Sequence, residues 1–143
     1  MSNVSFQVER TNLSQTTRVS LDHYDDLELN TEAIIQVDQF ALTANNITYG
    51  VAGDMIGYWQ FFPSTLPLGQ IPVWGMGTIV KAGNTGLKEG DRYYGYFPMA
   101  SYLVIKPENI NERGFVDGAA HRSELPPVYN QYSLVSESNG YKK

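Results

Sequence analysis

Apolar and polar residues alternate along Val4-Ser5-Phe6-Gln7-Val8, the period-two pattern of a half-buried strand. Residues 16–21 repeat it more weakly, and the turn formers at residues 12–15 between them predict an opening hairpin. Residues 33–42 carry the strongest strand pattern of the first half, with Ile35 and Val37 on one face and Gln36 and Asp38 on the other. The run stops at Thr43-Ala44-Asn45-Asn46, where either asparagine is placed to cap a short helix through Ile47-Thr48-Tyr49.

The second half turns on Ile71-Pro72-Val73-Trp74-Gly75-Met76-Gly77-Thr78-Ile79-Val80, a strand that ends in a β-branched run. Gly83 and Gly86 permit the positive φ angles of a tight reversal, and Gly90-Asp91 turns the chain into a next strand at Arg92-Tyr93-Tyr94. Beyond Gly95, residues 96–107 predict one more buried strand, ended by Pro107. Residues 108–118 read as polar and turn-like, and residues 119–125 as a short helical piece stopped by Pro126-Pro127. The pattern is that of one mainly β domain over residues 1–132, followed by a polar tail over 133–143.

Composition narrows the function classes. The chain is 42% hydrophobic and 17% charged, enough apolar surface to offset the entropy of ordering 143 residues. Its net charge of -5 and ten scattered Lys and Arg offer no basic stripe, so nucleic acid is not an expected partner. It has no cysteine, which removes disulfides, thiolate metal ligands and cysteine nucleophiles together. No stretch reaches the ~20 apolar residues that span a bilayer, and a cytoplasmic location is expected.

Three stretches carry candidate chemistry. Asp22-His23-Tyr24-Asp25-Asp26-Leu27-Glu28 brings carboxylates and an imidazole together, and reads as a solvated loop rather than a metal site because nothing fixes ligand geometry. The segment from Tyr49 to Phe62 holds Tyr49, Tyr58, Trp59, Phe61 and Phe62 among glycines, which suits either core packing or the wall of an apolar pocket. His121 lies beside Arg122, with Tyr129 and Asn130 close behind, a set that suits acid-base chemistry or an anionic ligand, or simply a helix cap.

Several short motifs agree on a family. Ile35-Gln36-Val37 with Ala41-Leu42-Thr43, then Gly77-Thr78-Ile79-Val80 with Gly83, Gly90-Asp91-Arg92 and Tyr94, occur in order. Ala100-Ser101-Tyr102-Leu103-Val104 and Ala119-Ala120 with Leu125-Pro126 follow them. Together they resemble the N-terminal GroES-like barrel of medium-chain dehydrogenases/reductases, over roughly residues 1–132. More narrowly, residues 40–46, 95–99 and 125–132 are similar to a group of reductase-like proteins carried under a domain-of-unknown-function label. The resemblance implies a mainly β, partly open barrel with a few short helices.

It also implies what is missing. Zinc-dependent members place a cysteine at the position of Thr43 and Gly-His-Glu at Pro72-Val73-Trp74, and this chain has none of those ligands. The resemblance therefore implies the zinc-independent type, in which hydride passes from a nicotinamide to a carbonyl or enone while protein donors polarise the oxygen. No strand, Gly-x-Gly-x-x-Gly turn and helix follow Tyr132, so NADP(H) is expected only in a longer protein and not on this chain alone. The expected partners are a small-molecule substrate, the absent nucleotide-binding domain and, as an open alternative, a second copy of the chain.

On this reading the cleft lies between the barrel and the absent domain. Thr43, Asn46, Tyr58 and His121 are its candidate catalytic groups, and Asn45, Tyr49, Trp59, Tyr129 and Asn130 its candidate substrate contacts. Helix capping competes as the role of Thr43, Asn45 and Asn46, and packing as that of Tyr58. Two other function classes stay open: a non-catalytic binding or assembly module, and a cofactor-free lyase or hydrolase built on His121 and the tyrosines.

Overall fold

The computed structural model describes residues 3–21, 31–51, 57–123 and 125–136, apart from the side chains of Leu21 and Asn45. The acidic stretch at residues 22–28 and nearly all of the tail lie outside the described residues.

Strands β1 (Asn3–Glu9) and β2 (Asn12–Leu21) form the expected opening hairpin, but the turn is Arg10-Thr11 rather than residues 12–15. Pairing Glu9 with Asn12 across a bulge draws those turn formers into the ladder. The faces of β1 are also reversed as far as Gln7, while Val8 stays in the core. Asn3, Ser5 and Gln7 are buried while Phe6 is 40% exposed. The polar side is tolerated inside because each group finds a partner. Asn3 exchanges hydrogen bonds with the Tyr102 backbone, Ser5 donates to Gln70 Oε1 at 2.7 Å, and Gln7 accepts the Ser64 hydroxyl. Gln70 in turn donates to the carbonyls of Phe62 and Pro63.

Strand β3 (Ala33–Phe40) enters the core with Ala33, Ile34 and Ile35 fully buried and leaves it with its last residues exposed. Helix α1 (Ala44–Val51) follows, longer than predicted. Asn46 does serve the cap, from inside the helix: its Oδ1 accepts the Thr43 backbone N–H at 2.6 Å, the return half of a capping box.

After the 3₁₀ turn at Tyr58–Gln60 and the two-residue strand β4 (Leu68–Gly69) come β5 (Pro72–Lys81) and β6 (Arg92–Pro98). Gly83, Gly86 and Gly90 take positive φ in the reversal between them, as expected. Strand β6 runs straight through Gly95, where the prediction divided it. A Cβ at Gly95 would lie 2.4 Å from Tyr132 Cδ1, so the glycine admits a ring rather than a turn. The division falls instead at residues 99–101, ahead of β7 (Tyr102–Ile105).

Residues 108–118 are no loop. Pro107 opens β8 (Pro107–Asn111) at its first position, where its missing N–H is tolerated, and β9 (Gly114–Asp117) pairs back onto it. The predicted helical piece is a 3₁₀ turn at Ala120–Arg122, a second occupies Pro127–Asn130, and β10 (Gln131–Leu134) returns to the sheet.

The strands form two antiparallel sheets, ordered β2-β1-β4 and β7-β3-β5-β6-β10-β9-β8. The larger curls into a half-barrel around Ile35, Val73, Ile79, Phe97, Ile105, Phe115 and Tyr132, and the mainly β, partly open barrel expected from the sequence is present. Among the described residues no helix is long and apolar enough to cross a membrane.

Candidate functional site

Where β3 gives way to α1, the chain crosses the outer face of β1. Phe6, Leu13, Leu42, Ile47 and Met99 line a groove there of about 450 Å³, and Thr43 and Asn46 contribute to its walls. Its size and apolar lining with few polar groups are those of a small-molecule site. Leu42 is 68% and Ile47 62% exposed, so the apolar surface is open to solvent. The reversal of β1 creates this lining, because the strand that buries Gln7 must turn Phe6 outward.

Thr43 and Asn46 are engaged differently. Asn46 Oδ1 holds the Thr43 backbone and its Nδ2 donates to the Pro72 carbonyl at 3.1 Å, so both ends of the amide are engaged. Thr43 is exposed, and its hydroxyl has no partner among the described residues. Asn46 fixes the start of the helix, and Thr43 presents a free donor at the groove. Asn45 belongs to the same helix, but its side chain lies outside the described residues.

The other predicted residues are brought together elsewhere. Tyr49, Tyr58 and Tyr129 join Trp74, Tyr96 and Phe61 in an aromatic knot. Tyr49 and Tyr58 ring centres are 4.6 Å apart, and those of Tyr96 and Tyr129 4.9 Å. The Tyr58 and Tyr129 hydroxyls meet at 3.4 Å, and that hydrogen bond, with burial and neighbouring phenols, pushes the Tyr58 pKa up to about 12. A phenol held that firmly is a weaker acid than free tyrosine. Tyr96 is fully buried, and burial, with the phenols of Tyr49, Tyr129 and Tyr58 around it, drives its pKa upward as well. Of the two readings of the aromatic segment, Phe61 and Phe62 take the core one, being at most 3% exposed, while Trp59, equally buried, also walls a cavity.

Trp59 and His121 share a different cavity with Arg10, and His121 Nε2 lies 3.1 Å from the Phe61 carbonyl. Asn130 is buried and bonded on both sides to Arg122, whose Nε donates to Asn130 Oδ1 at 2.7 Å while Asn130 Nδ2 donates to the Arg122 carbonyl. Arg122 is fully buried. Burial opposes its charge, but the Tyr132 phenol at 2.7 Å and the Asp117 carboxylate at 2.9 Å outweigh that and raise its pKa. Eight of the nine predicted residues, all but Asn45, thus divide among a groove, an aromatic knot, a cavity and a buried network.

Sequence reasoning missed Phe6, Leu13, Leu42 and Met99 as groove walls, and Arg10 as a cavity residue. Phe6 carried a misleading signal, since period-two alternation names two faces without saying which one is buried.

Two cofactor questions follow from the donor set. Among the described residues no three His, Asp or Glu side chains gather as metal ligands, and the chain has no cysteine. Gly75 and Gly77, the one Gly-x-Gly, lie inside β5, where a Cβ would come within 2.3 Å of the Gln39 carbonyl and 2.7 Å of the Gln36 carbonyl. They admit the backbone of β3 and do not form a phosphate cradle, so the described residues do not fit the pyrophosphate of a dinucleotide.

Comparison with known proteins gives the fold the same place. A mutant form of enoyl thioester reductase from Candida tropicalis superposes with a TM-score of 0.51 at 15% identity, covering 82% of this chain and 34% of that one. The complex of Etr1p with NADP and crotonyl-CoA gives 0.50 at 14% identity, covering the same shares. The chain therefore spans about a third of the length of these solved structures, and its fold is that of the GroES-like domain of medium-chain dehydrogenases/reductases. No curated protein matches the sequence. The model of a family described as "Protein of unknown function (DUF2855)" matches residues 40–143, and by that match the chain belongs to the DUF2855 family.

Proposed function

We propose that the chain is the substrate-side domain of a zinc-independent, NADP(H)-dependent reductase-like protein acting on a carbonyl or enone, with the dinucleotide held by a second domain. The observation that carries this reading is the unpartnered Thr43 hydroxyl at the edge of an apolar groove. An apolar acyl or alkyl chain fits against Phe6, Leu13, Leu42 and Met99, which leaves its oxygen for the Thr43 hydroxyl. A hydroxyl aimed at that oxygen stabilises negative charge developing there without a metal. Asn46 acts as a positioning residue, because its two hydrogen bonds tie Thr43 to the start of α1 and to β5. The GroES-like fold, shared with an enoyl thioester reductase, supports the same assignment.

The test is an NADPH-oxidation assay with α,β-unsaturated ketones and thioesters, on the protein that joins this domain to its nucleotide-binding half. Thr43→Val, which keeps shape and removes the donor, is expected to lower kcat by about 10²-fold with little change in KM. An unchanged kcat would remove Thr43 from the chemistry, and no enone-dependent NADPH oxidation in the wild type would remove the reductase reading itself.

A further inference from the structure

Away from the groove, Arg10, Trp59, Gln60, His121 and Ser123 line a cavity of about 470 Å³. Among the described residues its lining contains no carboxylate, although the chain carries a net charge of -5. Arg10 comes from the β1–β2 turn and is held in place twice. Its guanidinium carbon lies 5.3 Å from the Trp59 ring centre, and its Nε donates to the Leu68 carbonyl at 3.1 Å. Its two terminal nitrogens have no partner among the described residues, so a fixed guanidinium stands with its outer donors unused.

The other lining residues add a complementary set. His121 Nε2 faces the Phe61 carbonyl, which can only accept, so the ring hydrogen sits on Nε2 and Nδ1 is left over. Ser123 donates to the Ala120 carbonyl and keeps its oxygen lone pairs. The buried Trp59 indole N–H has no acceptor among the described residues, a rare condition for a buried donor.

We propose that this cavity binds the phosphoryl group of a small phosphorylated molecule. Arg10 supplies the planar pair of N–H donors that two phosphoryl oxygens accept. His121 Nδ1, left over by the Nε2 contact to the Phe61 carbonyl, accepts a hydrogen bond from a P–OH. A carboxylate, already ionised, has no proton for that nitrogen. The cavity is far larger than a phosphate, which leaves room beside the Gln60 amide for the rest of the molecule. This inference does not depend on the reductase reading, since it uses none of the groove residues.

The test follows the Trp59 indole N–H and the Arg10 Nε–H in the ¹⁵N-labelled chain, with Trp74→Phe identifying the Trp59 signal. Inorganic phosphate is expected to shift both saturably at millimolar concentration, while acetate at equal ionic strength does not. Arg10→Gln is expected to weaken phosphate binding about tenfold or more. Should that variant lose its fold, His121→Gln at an exposed position gives the same reading through weakened affinity. No saturable shift with phosphate, equal shifts with acetate, or unchanged affinity in both variants would overturn the proposal.

Discussion

Arg122 and Asn130 sit next to the most suggestive histidine in the sequence, yet their polar atoms face inward to each other, to Asp117 and to Tyr132. Asp117 Oδ1 also accepts the backbone N–H groups of Lys106 and Ala119, so one carboxylate joins β9 to both neighbouring segments. Phe61, Phe62 and Tyr132 pack their rings within 5.3 to 5.7 Å of the guanidinium carbon. Removing one member leaves the others buried and uncompensated. Arg122→Ala is therefore expected to cost about 3–5 kcal/mol of unfolding free energy, measured by urea denaturation. Thr43→Val, at an exposed hydroxyl without partners, is expected to stay within about 0.5 kcal/mol of wild type in the same experiment. The contrast separates a residue that holds the barrel from one that faces a ligand.

Among the elements, β6 shows how one glycine sets the packing of a neighbouring strand. Gly95 leaves room for the Tyr132 ring, which is fully buried and donates its hydroxyl to the Tyr96 carbonyl. Gly95→Ala places a methyl group against an immobile ring, and a loss of about 1–3 kcal/mol is expected by thermal or urea unfolding. Strong period-two runs such as β3 and β5 were legible in the sequence, because their apolar faces meet a single core. β1 was legible as a strand but not in its orientation. The partners that make Ser5 and Gln7 acceptable inside, Gln70 and Ser64, are distant in sequence and leave no local trace. β8 and β9 were missed because Glu108, Asn109 and Asn111 are exposed edge residues, polar for that reason. For the site, Thr43 was visible through its place after β3, whereas the groove around it depends on the reversed face of β1.

Across the whole molecule, the tyrosines give the fold an alkaline limit. Burial holds the Tyr132 pKa at about 12 despite the nearby Arg122, Tyr58 also stands at about 12, and Tyr93 and Tyr96 are raised by burial. Unfolded phenols ionise near ~10. Between that value and about 12 the unfolded chain has released protons that the folded one still holds, so stability falls as pH rises through this window and is intact below it. Tyrosinate absorbance should appear together with the loss of near-ultraviolet circular dichroism. Tyrosinate formed in full while the fold persists would contradict this.

The groove opens beside α1, where Leu42, Ile47 and Val51 stay exposed, the surface over which the proposed second domain would close. The most direct measurement is a titration of the ¹⁵N-labelled chain with a medium-length enone, read as amide shifts. Saturable shifts confined to Phe6, residues 42–47 and Met99 are expected, with the affinity little changed in Thr43→Val. Shifts centred on Tyr58 and Tyr129, or none at millimolar enone, would contradict the proposed site.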